Sequence, residues 1–149
     1  VTGQRISDIC NMRWADIVDF RLRVVQEKTG ARITIPVELS IIDLSLENLL
    51  EECWQLSAGC EYILVSRKGE KIAQRTMTDY FTKSRRLTPL SWDADKEPPS
   101  FHEIRSLSAR LHTDVRGGEF AQHLLGHKSA EMTARYQDSR GSEWDDIQI

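Results

Sequence analysis

The chain has 149 residues, 40% hydrophobic and 29% charged, which suits one globular domain with a real core. No apolar run is long enough to cross a membrane. The formal net charge of −3 argues mildly against a protein that coats phosphates with its whole surface. Local charge matters more than the total. Acidic residues gather at Glu47, Glu51 and Glu52 and again at Glu143, Asp145 and Asp146. Basic residues gather at Arg67, Lys68, Lys71 and Arg75, then at Lys83, Arg85 and Arg86. Such an asymmetric surface can hold nucleic acid on one side. Cys10, Cys53 and Cys60 form no C-x-x-C pair and no even framework, the pattern of free thiols in a reduced, cytoplasmic setting.

Val1 to Arg5 reads as domain sequence and not as a secretory leader. Residues 1–13 read as a turn and a helix, with Ile6, Ile9 and Cys10 at core spacing. Arg5 at its start is, on its own, an ordinary surface arginine. Ile17-Val18, Leu22 to Val25 and Arg32 to Pro36 are β-branched runs. Turns at Asp19 to Arg21 and at Thr29-Gly30 join them into a three-stranded antiparallel sheet. Lys28 lies at the tip of the second hairpin, where lysines are usually solvated. Leu44 to Leu56 reads as an amphipathic helix with Leu46, Leu49, Leu50, Cys53 and Trp54 inward and an acidic outer face. Ile63-Leu64-Val65 reads as a short buried crossing. Gln74 to Leu87 reads as a second helix, with Met77, Tyr80, Phe81 and Leu87 taken as core. Its C-terminal cations suit the helix dipole. Residues 88–99 read as a loop ended by Pro98-Pro99.

Phe101 to Thr113 reads as a helix whose apolar stripe is Ile104, Leu107 and Leu111. His102 and Arg105 share the opposite side, which needs either water or an anion. Glu119 to Leu125 reads as a short helix ended by Gly126 at C′. His127 follows. Ser129 reads as the N-cap of a next helix that carries Tyr136.

These pieces together form H-x-x-R at His102 to Arg105, L-G-H at Leu125 to His127, and Tyr136. Upstream stand T-G-x-R-x-x-D-I at Thr2 to Ile9, W-x-D-I at Trp14 to Ile17, and a K-T-G hairpin at Lys28 to Gly30. The set resembles the tyrosine recombinase (phage integrase) family, and within it the catalytic domain of lambda-type integrases. The resemblance implies an α+β fold, mainly helical, whose small sheet carries Lys28. It implies site-specific cleavage and rejoining of DNA through a 3′-phosphotyrosyl link, as in prophage integration or excision. Tyr136 is then the nucleophile. Arg5, Arg105 and His127 serve the phosphoryl oxygens, His102 is the base for the phenol, and Lys28 protonates the leaving 5′-oxygen. The residue types suit those tasks: guanidinium forks match phosphate oxygens, a phenol can carry a covalent phosphate, and imidazole can take a proton.

No metal or other cofactor is expected, because the bond energy stays in the phosphotyrosine. The implied partners are double-stranded DNA attachment sites, further integrase subunits in a tetramer that exchanges tails, and accessory DNA-bending or excision proteins. No membrane is implied, and the setting is the cytoplasm of a bacterial host. A chain starting at the first arginine motif is expected to lack the early helices of the domain and the DNA-clamping domain before them. Residues 1–149 are thus read as an N-terminally truncated catalytic domain, with apolar surface left uncovered.

Three other readings compete with this one. A zinc site at His123 and His127 is opposed by Gly126 between them and by the cationic neighbours. His112 and His123 read as ordinary polar or packing residues. A type IB topoisomerase-like activity would use the same chemistry, and a non-catalytic remnant would only bind DNA or partner subunits. The tail Asp146-Ile147-Gln148-Ile149 alternates like a half-buried strand and is expected to add to a sheet edge, its own or that of a neighbouring subunit.

Overall fold

Alternation in Arg21–Val25 and unbroken burial over residues 33–36 set the layout. The computed structural model describes residues 1–57, 59–92, 98–126 and 144–149. The elements are α1 (Ile6–Asn11), β1 (Ile17–Val18), β2 (Arg21–Val25), β3 (Arg32–Pro36), β4 (Ser40–Ile41), β5 (Leu44–Ser45), α2 (Leu46–Ser57), α3 (Gln74–Arg86), α4 (Phe101–Arg116), α5 (Gly118–Leu124) and β6 (Asp145–Asp146).

The main sheet runs β1-β2-β3-β6. Its first three strands are the expected antiparallel unit, with Ile17 opposite Leu22 and Leu22 opposite Ile35. Leu22 and Val24 face the core while Arg23 and Val25 face out. Strand β3 has a partner on each edge, and Ile33, Thr34 and Ile35 are all buried. The first turn places Asp19 and Phe20 at φ 51° and 58°, as a two-residue type I′ connection requires. In the second hairpin the Gln26 N–H donates to Ala31 O at 2.8 Å and Gly30 N–H donates back to Gln26 O at 2.8 Å. Gly30 sits at φ 66°, so the tip that carries Lys28 is tightly closed.

The tail docks on this same sheet. Strand β6 pairs in parallel with β3, Asp145 opposite Ile33 and Asp146 opposite Thr34. Ile147 N–H donates to Thr34 O at 2.9 Å, and the Ile147 side chain is 2% exposed. Burying one such side chain contributes roughly 1.5–3 kcal/mol. Arg21 reaches across to Asp146 at 2.6 Å and to Ile147 O at 3.0 Å. The Trp144 ring lies 5.6 Å from the guanidinium carbons of both Arg23 and Arg32.

The apolar core joins Leu22, Val24, Ile33 and Ile35 to Met12, Leu39, Leu46, Leu50, Ile63, Leu124 and Ile147. Ile63 crosses as expected, its N–H bonded to Met12 O at 3.0 Å. Helix α2 starts two residues later than expected, because Leu44-Ser45 pairs with Ser40-Ile41 in a small hairpin. Leu46 and Leu50 point inward as expected, but Leu49 and Trp54, expected on the same face, are exposed, with Trp54 edge-on to Trp14.

Two further expectations about core faces are corrected. Helix α3 buries no residue fully. Met77, Tyr80 and Phe81 are half-buried, Phe81 lies against Phe101, and Leu87 is exposed. Helix α4 is turned the other way from its apolar stripe. Ile104 and Leu107 are exposed, Leu111 is half-buried, and the inward residues are Arg105, Ser108 and His112. The reason is what α4 packs against. The segment before α1 is irregular, and its Val1 and Gly3 carbonyls have no ladder partner and need donors. Polar side chains on α4 supply them.

Candidate active site

The segment from Val1 to Arg5 lies along α4. Ser108 Oγ donates to Val1 O at 3.2 Å, and His112 Nε2 is 2.9 Å from the same oxygen. Arg105 donates from Nη1 to Gly3 O at 2.9 Å and from Nη2 to Leu125 O. Gly3 is at φ 61°, and a Cβ there would lie 2.6 Å from Ser108 Oγ. Only glycine allows both that backbone conformation and that approach. The segment then turns into α1, with Ile9 N–H donating to Arg5 O at 2.9 Å. Arg5 is the N-cap residue, but its side chain makes no capping bond and turns toward α4 and the Lys28 hairpin.

The Lys28 hairpin is attached to the same place through Gln26, which is fully buried. Its amide oxygen accepts from Arg5 Nη1 at 2.7 Å and from Thr29 Oγ1 at 2.8 Å. Its amide nitrogen donates to Gln4 Oε1 at 2.8 Å and to Leu125 O at 2.9 Å. Gln4 in turn donates to Leu124 O at 2.6 Å. Asp8 is buried beneath Arg5, 4.0 Å away, and accepts from Glu27 N–H at 2.9 Å. Gly126 is at φ 64°, as expected of a C′ glycine. A Cβ there would meet the Gln26 amide oxygen at 2.8 Å.

These supports frame a cleft of about 370 Å³ lined by Arg5, Lys28, Ser7, Ser100, His102 and Arg105 among others. A smaller adjoining hollow of about 240 Å³ is again lined by Arg5, Lys28, His102 and Arg105, with Leu125 at its edge. None of the described lining residues carries a carboxylate. The cleft opens at the N-terminus of α4, where the helix dipole also favours an anion. Ser100 caps that end, its Oγ accepting from His102 N–H at 3.3 Å, while Ser100 N–H donates to Glu103 at 2.8 Å. The Ser100 hydroxyl bond holds the Glu103 carboxyl below its usual pKa. Burial, together with the Arg5 cation and against the pull of Asp8, lowers the Arg105 pKa to about 10. Arg105 therefore remains a cation at neutral pH. The arrangement can grip a tetrahedral oxyanion from several directions and leaves an exposed imidazole beside it.

Of the six expected site residues, Arg5, Lys28, His102 and Arg105 meet at this cleft. His127 and Tyr136, with the N-cap Ser129, lie outside the described residues. Arg105 was expected on a face away from the core; it is 8% exposed, on the inward face. His102, one turn before it, is exposed. His112 is a packing residue as expected, while His123 lies 3.8 Å from Glu119. Gln4 and Gln26 are not marked in the sequence, because an amide side chain outside a periodic run carries no signal. Ser108 does carry a signal: with His112 it stands three and seven residues after Arg105, on one polar helical face.

Comparison with known proteins bears on the whole chain. A family model described as the phage integrase family matches residues 1–143. The integrase of Escherichia phage HK022 is 49% identical over 151 residues, covering 100% of this chain and 42% of the relative. The chain thus spans about two-fifths of that relative's length. The solved catalytic core of lambda integrase superposes with a TM-score of 0.84 at 44% identity, covering 100% of this chain and 82% of that one. A lambda integrase tetramer bound to a Holliday junction matches with a TM-score of 0.80 at 46% identity, covering 100% of this chain and 42% of that one.

Proposed function

The chain belongs to the phage integrase family, and from that premise we propose that residues 1–149 are the catalytic domain of a site-specific DNA recombinase. The observation that carries the reading is the shared cleft of Arg5, Lys28, His102 and Arg105, with no carboxylate among its described lining residues. Its substrate is the scissile phosphodiester of a double-stranded attachment site. Arg5 and Arg105 grip the nonbridging oxygens as the phosphorus becomes five-coordinate, where preorganised donors matter most. His127 adds a hydrogen bond to the same oxygens. His102 takes the proton of Tyr136, whose phenolic oxygen attacks the phosphorus. The P–O bond to the 5′-oxygen breaks, and Lys28 gives that oxygen its proton. The product is a 3′-phosphotyrosine and a free 5′-hydroxyl. Attack by the 5′-hydroxyl of a partner strand reverses the step.

A lambda integrase has been solved as a tetramer on a Holliday junction, and the same assembly on DNA is proposed for this protein. Its setting is the cytoplasm of a bacterial host. A nicked suicide substrate tests the chemistry, because loss of the short strand traps the covalent adduct. The adduct is expected at Tyr136, to vanish completely in Tyr136→Phe, and to persist in excess EDTA because Arg5, Arg105 and Lys28 supply the positive charge. An adduct surviving in Tyr136→Phe would move the nucleophile elsewhere, with Tyr80 next to test. DNA binding without any adduct would mark a non-catalytic remnant. Supercoil relaxation without strand exchange would mark a topoisomerase-like enzyme.

A further inference from the structure

We propose that Gln26 is a positioning residue of the recombinase site: one buried amide that locks the first arginine, the lysine hairpin and the turn before His127 into a single geometry. The inference rests on the reading above for its catalytic meaning, and on contacts alone for its mechanics.

A primary amide has two acceptor lone pairs and two N–H donors. In Gln26 all four are used, and they go to four different places. The oxygen takes Arg5 Nη1 and Thr29 Oγ1, at 2.7 and 2.8 Å. The nitrogen gives to Gln4 Oε1 and Leu125 O, at 2.8 and 2.9 Å. The partners also fix the orientation of the amide. Reversing it would set an N–H group against the Arg5 donor, and the oxygen against the two acceptors Gln4 Oε1 and Leu125 O. Thr29 immediately follows Lys28. Leu125 stands two residues before His127 and is the same carbonyl that receives Arg105 Nη2. Arg5 and Arg105 are thus tied to one small frame, through Gln26 on one side and Leu125 O on the other. Gly126 completes the fit: its missing Cβ leaves room for the Gln26 amide, which a Cβ would approach to 2.8 Å.

A buried group of this kind has a cost when half-used. If the side chain lost its polar atoms, Arg5 would lose its 2.7 Å acceptor and Leu125 O one of its donors. The guanidinium and the turn would then be free to shift relative to each other. Misplacement of about 1 Å can cost on the order of 10²-fold in rate. The bulk of DNA affinity, spread over many phosphate contacts, should change little.

Two variants separate positioning from simple structural support. Gln26→Met keeps length and burial but has no hydrogen-bonding amide. Gln26→Glu keeps the acceptor side toward Arg5 and Thr29 but opposes Leu125 O with a second acceptor unless the carboxyl is protonated. Single-turnover cleavage of a nicked substrate at saturating DNA is measured per folded molecule, beside DNA affinity, and amide hydrogen exchange is measured without DNA. For Gln26→Met the expectation is a rate loss on the order of 10²-fold with affinity nearly unchanged. Amide exchange at Glu27 to Ala31 and at Gly126 should be faster. For Gln26→Glu the rate relative to the parent should rise as pH falls, because the protonated carboxyl regains one donor for Leu125 O. A purely structural role would give a pH-independent ratio. The proposal fails if folded Gln26→Met cleaves at the parental rate, or if rate and affinity fall in proportion. It also fails if exchange in the hairpin and at Gly126 is unchanged. A parent chain that forms no adduct would instead overturn the recombinase reading, and the exchange measurement would still decide whether Gln26 is the lock.

Discussion

The two sides of the sheet-and-helix body are held together by different physics. Around Leu22, Ile33, Ile35, Leu124 and Ile147 the chain is joined by apolar burial, which is strong but tolerant of small shifts. Around Gly3, Gln26, Arg105 and Leu125 it is joined by directed hydrogen bonds from buried polar groups. The second kind adds little net stability per bond, yet it fixes angles and distances. The cleft cations sit on the second kind. The lesson is that this molecule separates holding the fold from aiming the charges, so damage to one side should be distinguishable from damage to the other.

Arg105→Ala is the sharpest way to break the aiming side. Removing a preorganised donor is expected to lower cleavage on the order of 10²–10³-fold, with a far smaller loss of DNA affinity. Paired single-turnover and gel-shift assays read both. Collapse of affinity with cleavage intact at saturation would remove Arg105 from the catalytic set.

Ile33→Ala should break the holding side. Ile33 is completely buried between β2 and the tail. The expected cost is about 3 kcal/mol of stability, read from denaturant unfolding, with cleavage per folded molecule unchanged. A rate loss in the folded protein would show that the two sides are not separable.

Deleting Ile147 to Ile149 probes where the two sides meet. Ile147 of the tail joins the apolar core, and only Gln137 to Glu143 separates Tyr136 from Trp144. The deletion should cost roughly 1.5–3 kcal/mol for the lost Ile147 burial. If the docked tail restrains Tyr136, cleavage by the isolated domain should rise and multimer formation on DNA should weaken. Lower stability with both functions unchanged would make the tail a packing strand alone.

His112 gives the smallest effect. Burial lowers its pKa from 6.5, partly offset by the bond to Val1 O. Near and below 6.5 the unfolded chain therefore binds a proton that the folded chain resists. Stability contributed by the neutral imidazole should fall as pH drops from 6.5 toward the lowered value. Melts of the parent and of His112→Gln across that range should show a flatter pH dependence in the variant. Equal slopes would assign the titration to another group.

How much of this was legible in the sequence follows from the same contrast. Strand alternation, the Thr29-Gly30 turn and the C′ glycine at Gly126 are local, because each is set by the chemistry of a few adjacent residues. The resemblance carried by the spaced motifs implied Arg5, Lys28, His102, Arg105, His127 and Tyr136 as one set, of which the first four meet at the cleft. What the sequence could not decide was which face of α4 turns inward. Ile104, Leu107 and Leu111 mark the apolar side, but the neighbouring surface is a row of backbone carbonyls at Val1, Gly3 and Leu125, and those demand donors. The same holds for Gln26, whose partners come from positions 4, 5, 29 and 125. Hydrophobic patterning records what a segment prefers in water. Only the tertiary structure settles which unpaired polar groups it must meet once water is gone.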